Sequence, residues 1–167
     1  RVAASPPEPV GSTPAPAPAQ ADFLAISRPG SSYQARWTDV RLFPSRGGFR
    51  TDLLARADPT REGEELVDAR ITIIQLRGSG EYPLSFGWDR GSPRVTIHTR
   101  DGLRCMTPIN DAGLIEITAA PAGRPPGAGD RLEGHFRVHC FPEGDPTSRP
   151  EALVFTGTFA VTADNGR

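Results

Sequence analysis

The sequence predicts an all-β protein: a single antiparallel β-sandwich of about eight or nine short strands, preceded by an extended Pro-rich N-terminal arm. Three observations predict it. Gly and Pro number 18 each among 167 residues, a composition of many turns and few long helices. Apolar and polar residues alternate in short segments spaced roughly a dozen residues apart, and no amphipathic helix of about three turns can be traced anywhere. The third observation is a repeated strand. Leu132, Gly134, Phe136, Val138 and Cys140 share one parity, and Glu133, His135, Arg137 and His139 share the other. The same Gly-x-Phe-x-Val spacing returns at Gly157, Phe159 and Val161. Period 2 with one apolar face is the pattern of a half-buried strand, so 130–140 and 155–161 read as sister strands.

Taken in order, residues 1–20 hold Pro6, Pro7, Pro9, Pro14, Pro16 and Pro18 among Ala, Ser and Thr. Such a composition cannot build a core and favours polyproline-type extension. It serves as a spacer or as an arm laid along a partner, with Pro14, Pro16 and Pro18 as partner contacts, and it leaves 21–167 as the sandwich domain. Asp22–Ile26 reads as one or two helical turns ended by Ser27-Arg-Pro-Gly30. Tyr33–Phe43 reads as one strand that changes face or carries a bulge, because Trp37 and the Val40/Leu42 pair do not share a single register. A turn follows at Pro44–Gly48, then a strand in which Thr51, Leu53 and Ala55 alternate with Arg50, Asp52 and Arg56. Asp58–Gly63 is a polar loop.

Ala69–Leu76 is the most apolar run and reads as a central strand, with a bulge expected at the Ile73-Ile74 doublet. Gly78-Ser-Gly80 ends it. Tyr82–Trp88 reads as a strand starting at a sheet edge, where Pro83 is tolerated. Arg94–Arg100 and Leu103–Thr107 flank Asp101-Gly102, the preferred dipeptide of a two-residue hairpin turn. That turn sets Cys105 opposite His98, away from the parity of Val95 and Ile97, unless the hairpin carries a bulge or both faces are covered. Leu114–Thr118 is a further strand, Pro121–Gly129 a stiff surface loop, and Leu153–Thr162 the last strand.

Cys105 and Cys140 are the two cysteines of the chain. In an exported protein such a pair is most simply a disulfide. Closing a loop of about 35 residues would stabilise by about 4 kcal/mol on the chain-entropy model. Two buried thiols or a metal site are the alternatives. Val2-Ala3-Ala4 before Ser5 resembles the small-residue end of a signal peptide. The expectation is an exported protein, periplasmic or extracellular, tethered to the membrane through an N-terminal segment, with no transmembrane run in the chain itself. All 19 basic residues are arginine and the net charge is −1, which argues against a domain-wide nucleic-acid or anionic-lipid footprint.

Chemistry-bearing patterns are sparse. His135 and His139 lie four apart on a strand, roughly 13 Å, too far to share one metal ion. Neither paired carboxylates nor a thiol with a positioned base and orienting group can be assembled from the spacing. Gly78-Ser-Gly80 and Arg46-Gly-Gly48 are too short for phosphate loops, and no haem, zinc-protease or nucleophile-elbow motif occurs. No catalytic, cofactor or metal site is therefore expected. Glu133, His135, Arg137 and His139 read as a polar stripe that contacts other protein subunits. The repeated Gly134-x-Phe136 and Gly157-x-Phe159 segments resemble strands of small exported β-sandwich proteins of bacterial envelopes. The functional expectation is a non-catalytic accessory subunit or protein-binding module of an exported, membrane-associated assembly. A carbohydrate or small-ligand binder, with Tyr33, Trp37, Tyr82 and Trp88 as candidate platforms, is the alternative, and an enzyme of unrecognised type the second.

Overall fold

The computed structural model describes residues 21–30, 34–45, 47, 49–56, 66–84, 93–100, 104–106, 113–142 and 153–164. They form two antiparallel sheets packed face to face, without a helix. Eleven strands are present among the described residues: β1 Phe23–Ser27, β2 Gln34–Trp37, β3 Val40–Pro44, β4 Arg50–Arg56, β5 Leu66–Ile74, β6 Gly80–Pro83, β7 Arg94–Thr99, β8 Arg104–Met106, β9 Gly113–Ala119, β10 Arg131–Pro142 and β11 Leu153–Thr162. The first sheet runs β2-β1-β11-β10-β9-β6, and the second runs β3-β4-β5-β7-β8 and then onto the end of β10.

The twelve-residue β10 joins them. It pairs with β11 from Arg131 to Cys140, with β9 as far as Val138, and with β8 at Phe141 and Pro142. Its apolar parity is the inner one: Leu132, Phe136 and Val138 are buried, as are Phe155, Phe159 and Val161 of β11. The repeated Gly-x-Phe now has a reason. Gly134 faces Phe159 and Phe136 faces Gly157 across the ladder, so each ring lies over the glycine of the other strand. A Cβ at Gly134 would sit 2.8 Å from Phe159 Cζ, and one at Gly157 would collide with the Phe136 ring. Cross-strand aromatic–glycine pairing of this kind places large apolar area on a strand that must also pass close to its neighbours.

Several expectations are corrected. Asp22–Ile26 is not helical: Leu24 and Ile26 are buried, and Phe23 and Ala25 face outward. Pairing with β11 on one side and β2 on the other satisfies its backbone groups, which a helix of one or two turns could not do for itself. The stretch read as one strand over Tyr33–Phe43 holds, among the described residues, two strands on edges of different sheets: β2 closes the first sheet and β3 the second. The loss of register that suggested a bulge is a change of sheet at Thr38-Asp39. In β5 the irregularity falls between Leu66 and Asp68, whereas Ile73 and Ile74 stay in register with Thr51 and Arg50. The strand ends instead at Gln75, which has a positive φ of 51°.

The β7–β8 register is one residue off that of a two-residue turn. Cys105 opposes Ile97, and His98 opposes Arg104. This register replaces the Cys105–His98 pairing that the shorter turn would set. Cys140 stands two residues before Pro142, the register partner of Cys105. Among the described residues there is no disulfide; the side chains of Cys105 and Cys140 lie outside them. Asp58–Gly63, the Asp101-Gly102 turn and residues 1–20 also lie outside the described residues. The Pro121–Gly129 loop is pinned at its end: Arg124 Nη2 donates to Asp130 Oδ1 at 2.9 Å and Gly127 N donates to Oδ2 at 2.6 Å. Those bonds, Arg124 first, hold the Asp130 carboxyl below its ordinary range.

Candidate functional site

The outer face of the first sheet carries an open groove of about 740 Å³. Its shape follows from side-chain size along four strands. β1 and β11 form the floor and present Ala25, Ser27, Thr156 and Thr158, all small. β2 on one side raises Gln34 and Arg36, and β10 on the other raises His135 and Arg137. In register the two rows read Arg36–Ala25–Thr158–His135 and Gln34–Ser27–Thr156–Arg137. Wall to wall spans three strand spacings, roughly 14 Å.

Each wall residue is held differently. The Arg36 guanidinium stacks over the Phe23 ring at 4.1 Å, a cation–π contact that fixes its stem along the sheet. His135 Nε2 lies 3.0 Å from Glu116 Oε2 on β9. Arg137, exposed, has no ion pair or hydrogen-bonding side chain among the described residues. On the floor the hydroxyls of Ser27 and Thr156 are 3.4 Å apart. The result is a hydroxyl-lined trough with a cation at two diagonal corners, able to accept an extended chain bearing acidic or amide groups.

Of the stripe read from sequence, the structure brings His135 and Arg137 into the groove and leaves Glu133 and His139 outside it. Glu133 accepts from Arg131 Nε at 2.6 Å, and Arg131 also reaches Asp22 Oδ1, which accepts from Thr162 Oγ1 as well. His139 is half-buried opposite Val154. Pro14, Pro16 and Pro18 lie outside the described residues. The floor and the β2 wall were missed. Thr156 and Thr158 were readable, since they occupy the polar parity of a strand already recognised. Gln34 and Arg36 were not, because their parity depends on Trp37 being buried.

Trp37 belongs to the core and Tyr82 is half-buried, its hydroxyl donating to the Gly78 carbonyl at 2.8 Å. Neither offers an exposed ring for a sugar; Tyr33 and Trp88 lie outside the described residues. A second carboxylate–histidine pair, Asp68 Oδ1 and His98 Nδ1 at 2.6 Å, sits on the outer face of the other sheet. No group of three metal-ligating side chains is found among the described residues. No helix among them is long and apolar enough to cross a membrane. No protein-family model, curated protein or solved structure matches the chain.

Proposed function

We propose that this chain is a non-catalytic binding module of an exported, envelope-associated assembly, taking a segment of a partner protein along the groove. The observation that carries the reading is the groove's construction: small hydroxyl residues on two central strands, between walls that end in Arg36 and Arg137. The Pro-rich arm adds a second contact, since polyproline-type chain is extended before binding and loses little entropy on docking. The two carboxylate–histidine pairs lie on outer faces of different sheets, too far apart to cooperate in one site. The core position of Trp37 and the half-burial of Tyr82 weigh against the carbohydrate alternative.

The test is native purification with cross-linking of the wild type, of Arg137→Glu with Thr158→Arg in the groove, and of a control, Val67→Arg, at an exposed position of the other sheet. A protein should co-migrate with the wild type and the control and be lost from the groove variant. A wild type that runs alone and monomeric, with residues 1–20 cleaved freely by protease, would end this reading.

A further inference from the structure

The net charge of −1 hides a local separation. At one end of the second sheet the outward side chains form three registered rows: Arg50–Ile74, Phe43–Asp52–Thr72–Arg94, and Arg41–Leu54–Arg70–Thr96. Four arginines meet a single aspartate there. Asp52 is engaged on all sides, accepting from Thr72 Oγ1 at 2.6 Å and Arg70 Nη2 at 2.9 Å, with Arg50 Nε 2.7 Å away. Arg94 has no ion pair among the described residues, and Arg41 has only a 3.6 Å contact to the exposed Asp39. The end is therefore cationic.

It is also apolar. Phe43 and Phe49 are 45% and 50% exposed, and both belong to the β3–β4 hairpin. Partly buried Leu54 and Ile74 stand in the adjoining rows. A soluble surface rarely groups such residues without a use for them. The hairpin that carries the two rings is also firmly anchored. Ser45 N donates to the Arg50 carbonyl at 2.7 Å, Arg50 N donates to Ser45 Oγ at 2.9 Å, and Gln75 N donates to the Phe49 carbonyl at 2.8 Å. Gln75 makes that bond from a left-handed conformation with φ 51°, which is unfavourable for a residue with a Cβ and is kept only where the surroundings impose it. The bond ties the Phe49 backbone to the end of β5 while its side chain stays 50% exposed.

Two exposed aromatic rings on a hairpin at the end of arginine-bearing rows match the boundary of an anionic bilayer, where rings enter the headgroup region and guanidinium groups meet phosphates. We propose that the β3–β4 hairpin and the rows beside it bind the surface of membranes containing anionic lipid. The opposite sheet then keeps its groove directed away from the bilayer and open to a protein partner.

The test is co-sedimentation of the full chain with vesicles of phosphatidylcholine alone and of phosphatidylcholine with phosphatidylglycerol at roughly three to one. The wild type should sediment with the anionic vesicles only and be released as salt rises. The double variant F43A/F49A, folded by its unchanged melting temperature, should bind at least about tenfold more weakly. Arg94→Gln should weaken binding about fivefold, and F43L/F49L should retain most of it. The groove variant R137E should sediment like the wild type, which separates this surface from the groove. Absence of binding to anionic vesicles, or binding indifferent to F43A/F49A, overturns the proposal. So does loss of a co-migrating soluble protein in F43A/F49A when vesicles never bound, which would make the hairpin a protein contact.

Discussion

Gly157→Ala tests the Phe-over-Gly interlock directly. At a strand position with room for it, replacing glycine by alanine stabilises by about 0.4–1 kcal/mol, because the unfolded chain loses freedom. At Gly157 the added methyl would collide with Phe136 Cε1 and Cζ and lie 3.0 Å from the Ala25 carbonyl oxygen. Phe136 is 2% exposed, so its ring has no solvent into which to retreat. Overpacking of this kind costs about 1–3 kcal/mol, leaving a net destabilisation of about 1–2 kcal/mol. Phe136→Ala alone should cost about 3–5 kcal/mol through lost burial and a residual cavity. In the double variant the methyl enters the space vacated by the ring, so the two losses should fall short of their sum by about 1–2 kcal/mol. Urea unfolding with a constant m-value measures all three, and each kcal/mol should move the melting temperature by about 3–4 °C for a domain of this size. Gly134→Ala with Phe159→Ala is the contrast. There the new Cβ also meets the backbone carbonyl of Glu116, which removing a ring does not relieve, so the rescue should be smaller. Additivity of Gly157→Ala and Phe136→Ala within about 0.5 kcal/mol, or a stabilised Gly157→Ala, would refute the interlock.

Two further outcomes follow from the charges and the cysteines. Burial alone would raise the Asp52 carboxyl, but hydrogen bonds from Arg70, Thr72 and Arg50 outweigh it and hold the group below its ordinary value of 3.8. A depressed carboxylate contributes stability that is complete above the unfolded value and is lost as pH falls through the folded one. Asp52→Asn should therefore cost about 1–2 kcal/mol near neutral pH, discounted for the partly exposed arginines, and progressively less below about pH 3.8. Equal losses at pH 7 and pH 3 in chemical denaturation would contradict this assignment. For Cys105 and Cys140, the register of β8 on β10 sets the two backbones as diagonal neighbours, about 7–8 Å between Cα atoms before local adjustment. That lies past the usual disulfide range of about 4.4–6.8 Å, so closing the bond requires backbone movement, and oxidation should add less than the full 4 kcal/mol or so of the chain-entropy model. Intact mass of the unreduced protein should be about 2 Da below that of the reduced form, and two alkylatable thiols without reductant would show that the bond is absent.

Amino-acid order alone determined the fold class, the core parity of the two sister strands and the polar stripe opposite it. These depend on period-2 alternation, which a strand expresses through its own geometry, whatever it pairs with. Phe136, Val138, Phe155 and Phe159 could be placed inward on that basis, and His135 and Arg137 outward. What only the tertiary structure decided was everything that depends on a neighbour. Phe23–Ser27 became a strand because β2 and β11 satisfy its backbone on both edges, and five residues in isolation cannot express that. Trp37 and Val40 fall in different sheets because the chain crosses over between them. Cys105 pairs with Ile97 and not with His98 because the β7–β8 register is one residue off that of the shorter turn that Asp101-Gly102 suggests. The groove likewise exists only once β2 stands beside β1 and β10 beside β11, since its floor and walls come from segments more than a hundred residues apart in sequence. Pairing register is a property of two strands, and one strand's sequence carries half of it.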